Sequence, residues 1–237
     1  DVFGWLLKIY YKSDGTIELS DIRAEGTRGR ITGKAVAHMN GLRFERAEGS
    51  FAIAKGQEIP LTLEGVPLGN ARGTIKIAAE KHDNEIRATL GIPQLHLDLP
   101  ADSARGVQPL DDNPSVSVSH RLGAMKEPRA ADALAWKLVF DVGRVDVAGP
   151  NLEVTIAGSK TSPPTVVLTD AARISGDITL LPGGMLQFFG KQFAIEEAGL
   201  VRLRAEDTAN PYLNVKARWR GAPEGTSVFV EYVGNLL

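Results

Sequence analysis

The sequence predicts an all-β fold, and three observations predict it. Short segments alternate apolar and polar residues with period two, which gives a strand one apolar and one polar face. Turn formers punctuate these segments at roughly ten-residue intervals; the 237 residues include 25 Gly and 13 Pro, as many short strands with many turns require. Helical periodicity is confined to residues 126–135, where Ala130, Ala131, Ala133, Leu134 and Ala135 favour a helix and Pro128 suits its first turn.

In chain order, strands are expected at residues 16–22, 29–37, 42–53, 59–63, 72–79, 85–92, 95–99 and 115–119, then at 136–142, 144–147, 152–156, 165–168 and 173–180. Gly26, Gly41, Gly49, Gly56, Gly65, Gly91, Gly149, Gly158 and Gly225 fall between, within or at the ends of such runs. The sharpest patterning lies in 184–220. Leu186 and Phe188 alternate with Gln187, and Phe193 and Ile195 follow Gly190 and Lys191. Val201 and Leu203 alternate with Arg202 and Arg204; Leu213, Val215 and Trp219 alternate with Asn214, Lys216 and Arg218. A last strand is expected at 226–233, with Val228 and Val230 in phase. Residues 101–114 and 160–164 break the rhythm and are expected as loops. The strand rhythm on either side of 101–114 is alike, so one β-rich region over 1–237 is expected, with a subdivision near 101–114 left open.

Composition excludes several classes. A formal net charge of −2 gives no global attraction to nucleic acid. Without cysteine, neither a disulfide framework nor a thiolate metal site can form. His38, His82, His96 and His120 show no metal-ligand spacing. No nucleophile elbow or phosphate-cradling glycine loop follows a strand. Asp111-Asp112-Asn113-Pro114 is expected as an Asx turn rather than a cation loop. A carbohydrate-binding or hydrolytic sandwich needs clustered aromatics or paired carboxylates on one face, and neither is visible. No catalytic, cofactor or metal residue is therefore expected. Arg202, Arg204, Lys216, Arg218 and Arg220 form either a basic ladder for phosphate headgroups or an acidic partner, or a solvated face; Glu196, Glu197, Glu206 and Asp207 nearby favour the latter. No stretch reaches the roughly 18–20 apolar residues of a membrane-spanning helix. The start Asp1-Val2-Phe3-Gly4-Trp5 holds only a short apolar run, and the chain is expected to be a piece of a longer protein.

Aromatics are 6% of the chain and the apolar stripes are mainly Ile, Val, Leu and Ala. Such stripes either fill a closed sandwich core or line an open aliphatic groove; a closed core usually holds larger side chains. The order of motifs bears on the choice. A strand at 174–178 is followed by Gly184, Gly190-Lys191-Gln192-Phe193-Ala194-Ile195, Gly199-Leu200-Val201-Arg202-Leu203 and Asn210-Pro211-Tyr212-Leu213-Asn214-Val215. Earlier come Leu97-Asp98-Leu99-Pro100 and Val107-Gln108-Pro109-Leu110. From about residue 95 onward the chain resembles the C-terminal domain of the TamB family, the translocation and assembly module proteins of the Gram-negative envelope.

The resemblance implies an elongated, curved β-sheet rolled lengthwise into a taco-like trough with an apolar groove. It implies a non-enzymatic role in carrying phospholipid, or in assisting outer-membrane β-barrel assembly with a TamA-like barrel partner. It also implies a periplasmic location within a protein anchored in the inner membrane. Leu186, Phe188, Phe193, Ile195, Val201, Leu203, Leu213, Val215, Trp219, Val228 and Val230 are then the candidate groove lining. About fifteen strands side by side, 4.8 Å apart, would span roughly 70 Å. The alternative is a structural β-solenoid or adhesin segment with a closed core.

Overall fold

A computed structural model describes residues 2–26, 29–41, 43–63, 66–100, 135–169, 172–188, 190–207, 210–221 and 225–235. They form strands and connections, with no helix among them. The strands are β1 (Val2–Tyr11), β2 (Thr16–Gly26), β3 (Arg30–Asn40), β4 (Arg43–Ile53), β5 (Ile59–Leu63), β6 (Val66–His82), β7 (Glu85–Asp98), β8 (Ala135–Val142) and β9 (Val145–Gly149). They continue as β10 (Leu152–Gly158), β11 (Thr165–Leu168), β12 (Ala172–Leu180), β13 (Met185–Phe188), β14 (Lys191–Ala194), β15 (Gly199–Leu203), β16 (Tyr212–Arg220) and β17 (Ser227–Asn235).

The all-β expectation holds, with three differences. β1 carried no alternation signal because VFGWLLKIYY is apolar at consecutive positions; it is nevertheless a strand, paired to β2 from Tyr11 opposite Ile17 back to Val2 opposite Gly26. The segments expected at 85–92 and 95–99 are one strand, β7, whose register against β6 shifts between Thr74 and Lys76. Thr74 faces Gln94 and Lys76 faces Gly91, so Ile92 and Pro93 together oppose Ile75. A bulge is where a strand tolerates proline. Ala135, the last residue of the expected helix, opens β8; the rest of that helix, the loop 101–114 with its acidic turn, and the strand 115–119 lie outside the described residues.

All seventeen strands belong to one sheet, but they do not lie side by side. β4 and β5 both pair with β6 and share one rung end to end. β8 and β9 share the next rung beyond β7. β11 pairs with β8 while β10 pairs with β9; β12 spans β10 and β11, and β13 continues its line. β14 and β15 share the rung before β16, and β17 closes the series. With five rungs shared, the described strands make twelve rungs spanning roughly 50 Å, shorter than fifteen separate strands would give. Neighbouring rungs are antiparallel except where β7 runs parallel to β8 and β9. Parallel neighbours need a long crossover, and the chain between them is residues 99–134.

Cross-strand partners share a face, so the register assigns every side chain to a side. One row reads Ile17, Ala37, Ala47, Ala79, Ala88, Leu138, Val166, Ile174 across eight rungs. Another reads Ile31, Ile53, Gly73, Leu95, Val145, Ile156, Leu180, Gly199. This face is apolar along both rows, with Lys81 opposite Ile86 and Lys191 opposite Phe188 near strand ends, and the other carries most of the charges. Among the described residues, the eight buried hydrophobic ones, Ile53, Ala71, Ile86, Ala88, Val145, Phe193, Ile195 and Ala217, sit on the apolar face. Among the described residues, substantial contacts between strands link only rungs that adjoin or share a position, so no second layer packs over that face.

Candidate functional site

The candidate site is this apolar face. Its C-terminal part is built by pairs Leu152–Leu186, Leu186–Phe193, Ile178–Val201, Val201–Leu213, Ala217–Val230 and Trp219–Val228. Phe193 and Ile195 pack with Ala217, and Val154, Leu180, Leu186 and Trp219 close around them. Ile195 is the most enclosed large side chain, 1% exposed. Phe188 stands edge-on to Phe193, ring centres 6.0 Å apart.

All eleven sequence-derived candidates fall on this one face. Leu186, Phe193, Ile195 and Trp219 join the packed cluster. Val201, Leu203, Leu213 and Val215 are half-buried on adjoining rungs, and Phe188, Val228 and Val230 are exposed. The N-terminal continuation of the face was not among the candidates. Ile17, Leu19, Ala35, Ala37, Ala47, Phe51, Ile77 and Leu90 extend it across β2 to β7. Their alternation is present in the sequence, but alanine and glycine at the inward positions dilute it.

On the opposite face the basic residues are paired. Arg202 donates from Nε and Nη2 to the two Asp177 oxygens at 2.9 and 3.1 Å; that fork raises the Arg202 pKa, through the hydrogen bond first and the charge second. Arg218 and Arg220 share Glu196, Lys216 lies 3.9 Å from Glu197, and Arg204 stacks over Tyr212. A polar clasp lies on the β6–β7 side of the parallel junction: Arg72 reaches Glu58 (3.2 Å) and Asp98 (3.6 Å), and His96 Nε2 lies 3.1 Å from Asp98. Beyond it, Asp146 accepts from Arg144 Nε at 3.0 Å and from Thr155 Oγ1 at 2.7 Å. These hydrogen bonds, Arg144 first, hold the Asp146 carboxyl below its ordinary pKa.

The histidines take structural partners: His38 contacts Thr16 and Arg46, and His82 contacts Glu80; His120 lies outside the described residues. No cluster of three or more His, Cys, Asp or Glu able to hold a metal occurs among the described residues. A 590 Å³ hollow on the charged face, bordered by Glu18, Lys34, Glu48, Lys76 and Asp141, mixes both charge signs and converges on no point.

Fold and face together define a class: a single-layer antiparallel sheet among the described residues, broken by one parallel junction, with one side apolar apart from Lys81 and Lys191. The chain belongs to the TamB family, since the model of the TamB C-terminal domain matches residues 20–227 of the 237. The match reaches well before residue 95, where the motif resemblance began, and includes nearly all of β2 to β7. Comparison with the curated proteins and with the solved structures finds no match. Members of this family serve the Gram-negative envelope as transport and assembly modules that are generally non-enzymatic and work with TamA-type partners.

Proposed function

We propose that this chain carries phospholipid along its apolar face, without catalysing a reaction. It does so in the periplasm, as a section of a protein anchored in the inner membrane. The observation supporting this reading is continuity: apolar residues face the same side on every rung, and among the described residues no second layer consumes that surface. A sheet must bury its apolar face against something. Curled lengthwise into a trough, this one offers acyl chains the missing layer, at about 0.8 kcal/mol per buried CH₂. The lining is aliphatic and brings no convergent polar groups to a headgroup, so carriage follows the tails rather than the headgroup. The closed-core alternative finds little support in a sheet where only eight described hydrophobic residues are buried.

The test places photo-crosslinking residues at Ile77 and Val215 on the apolar face, and at Lys76 and Lys216 on the charged face, in protein expressed in a Gram-negative host. Lipid adducts from the first pair alone are expected, together with phospholipid of mixed headgroups in native mass spectra and no ester hydrolysis. A folded protein that yields no lipid at any position overturns carriage. Handling of unfolded outer-membrane barrel strands is the second reading, and the exposed apolar strands at the two ends of the sheet favour it.

A further inference from the structure

Among the described residues β14 meets β16 at a single position, Ala194 opposite Arg218. Beyond that pair, Lys191, Gln192 and Phe193 are paired only to β13, and Trp219 and Arg220 only to β17. A hollow of 630 Å³ lies here, bordered by Lys191 and Gln192 of β14, by Arg218, Trp219 and Arg220 of β16, and by Glu196. Side chains of both faces reach it. Lys191, opposite Phe188, and Trp219, opposite Val228, belong to the apolar face; Gln192, Arg218 and Arg220 belong to the charged one.

The charges that border the hollow do not cancel. Glu197 lies 3.9 Å from Lys216, and Glu231 stands opposite Lys216 in register, so both acids fall on that lysine, which is not part of the lining. Arg218 and Arg220 share the one carboxylate of Glu196, Arg220 at 3.0 Å. Lys191 has no carboxylate partner among the described residues; its Nζ lies 5.2 Å from the centre of the Trp219 ring, a contact that leaves its charge uncompensated. Three cations thus border the hollow with one acid. The next carboxylate along the row of Arg218 and Ala194 is Glu153, on the far side of Met185. Arg218 Nε is buried without a hydrogen-bond partner, and the Arg220 side chain is 73% exposed, open to a further acceptor. Cations beside an aromatic, apolar surface suit an amphipathic anion, and guanidinium and ammonium groups are the donors that take phosphate.

We propose that this hollow holds the phosphate of a phospholipid whose acyl chains lie on the adjoining apolar face, with Lys191 and Arg220 as its donors. The inference rests on the carriage reading and deepens it. Phosphate is common to phospholipids of every headgroup, so the site anchors the lipid at the ends of β14 and β16 without selecting among headgroups.

The test titrates the full 237-residue chain by calorimetry, below micelle-forming concentrations. The probes are dihexanoylphosphatidylcholine, dihexanoylglycerol, which has the same chains and no phosphate, and inorganic phosphate. The phospholipid is expected to bind roughly tenfold tighter than the diacylglycerol; its choline cancels the net charge, so the gain reports phosphate contact. Lys191→Gln combined with Arg220→Gln, both on exposed side chains, removes the gain and leaves diacylglycerol binding and the thermal melt unchanged. Lys76→Gln, on β6, leaves the gain intact. Equal binding of the two lipids, a gain that survives the double variant, or a gain lost in Lys76→Gln overturns the phosphate site while carriage stands. Inorganic phosphate bound at these residues as tightly as the phospholipid makes the ligand a free anion and overturns the site as well. Binding of neither lipid removes the carriage reading and this site with it.

Discussion

The two sides of the parallel junction build the same apolar face in different ways. From β1 to β7 the rungs are long, up to the 17 residues of β6, and their inward residues are often small: Ala37, Ala47, Ala79 and Ala88 stand in one row, Ala35 beside Gly49 in the next. From β8 to β17 four rungs are each split between two shorter strands, and most inward residues are Leu, Ile, Val, Phe or Trp, with Gly158, Gly176, Gly199 and Ala217 among them. Bulky side chains on neighbouring rungs meet there: Val154, Leu180, Leu186 and Trp219 close around Phe193, Ile195 and Ala217. Buried residues in the N-terminal part, such as Ile53 and Ile86, form no such cluster. An unbroken apolar stripe is thus compatible with very different degrees of packing. Side-chain bulk sets that degree.

The comparison is broken most directly by charge. Ile195→Asp places an unpaired carboxylate in the packed cluster and is expected to cost about 3–5 kcal/mol. Ile77→Asp, half-buried on the N-terminal part, keeps access to water and is expected to cost about 1 kcal/mol while reducing lipid recovery. Chemical denaturation of both variants decides, and equal losses would erase the distinction drawn between the regions.

Backbone geometry gives the next largest effect. Gly176 has φ +123°, and an added Cβ would lie 2.5 Å from the Pro163 carbonyl oxygen, so Gly176→Ala should lose about 2 kcal/mol. Gly91→Ala adds a methyl 3.4 Å from Lys76 Cβ at an ordinary φ and should be neutral within about 0.5 kcal/mol. Melting temperatures of the pair read this out.

Overpacking follows. Ala217→Leu, 4% exposed between Ile195 and Trp219, should cost about 1–2 kcal/mol. Ala47→Leu, half-buried in the alanine row with no layer above it, should cost less than about 0.5 kcal/mol and alter the amount of bound lipid instead. A larger stability loss for Ala47→Leu would reveal a covering layer.

The smallest effect concerns the junction. The folded Asp146 pKa is depressed, so its contribution is present above the unfolded aspartate value, near 3.9, and disappears as pH falls through the lower folded value. Asp146→Asn should lose about 1 kcal/mol or less at pH 7, and the deficit should narrow as pH falls below about 3.9. A deficit unchanged by acidification would assign the loss to packing.

Much of this was readable along the chain. Every strand from Thr16 onward that lies in the described residues was anticipated, because period-two alternation is a local signal and Gly or Pro marks its ends. β1 was not, since an edge strand apolar on both sides shows no alternation. Nor was the continuity of the candidate face into β2 to β7: Ala47 and Gly49 look unremarkable until their partners Ala37, Ala79 and Ala35 stand beside them. The basic residues of β15 and β16 are adjacent in sequence to acids, yet nothing local reveals that Arg202 meets Asp177, 25 positions away.

Alternation alone commits each strand to one apolar and one charged side, because successive side chains leave a pleated backbone in opposite directions. It cannot say which strands share a rung, that β7 meets β8 and β9 in parallel, or which strands end the sheet. Those depend on hydrogen bonds between residues far apart in the chain, and the same alternating segment satisfies them equally well in several pairings. Tertiary structure selected the pairing in which all apolar sides coincide and β1 and β17 remain at the ends, because only a common register lets inward side chains on neighbouring rungs shield one another from water.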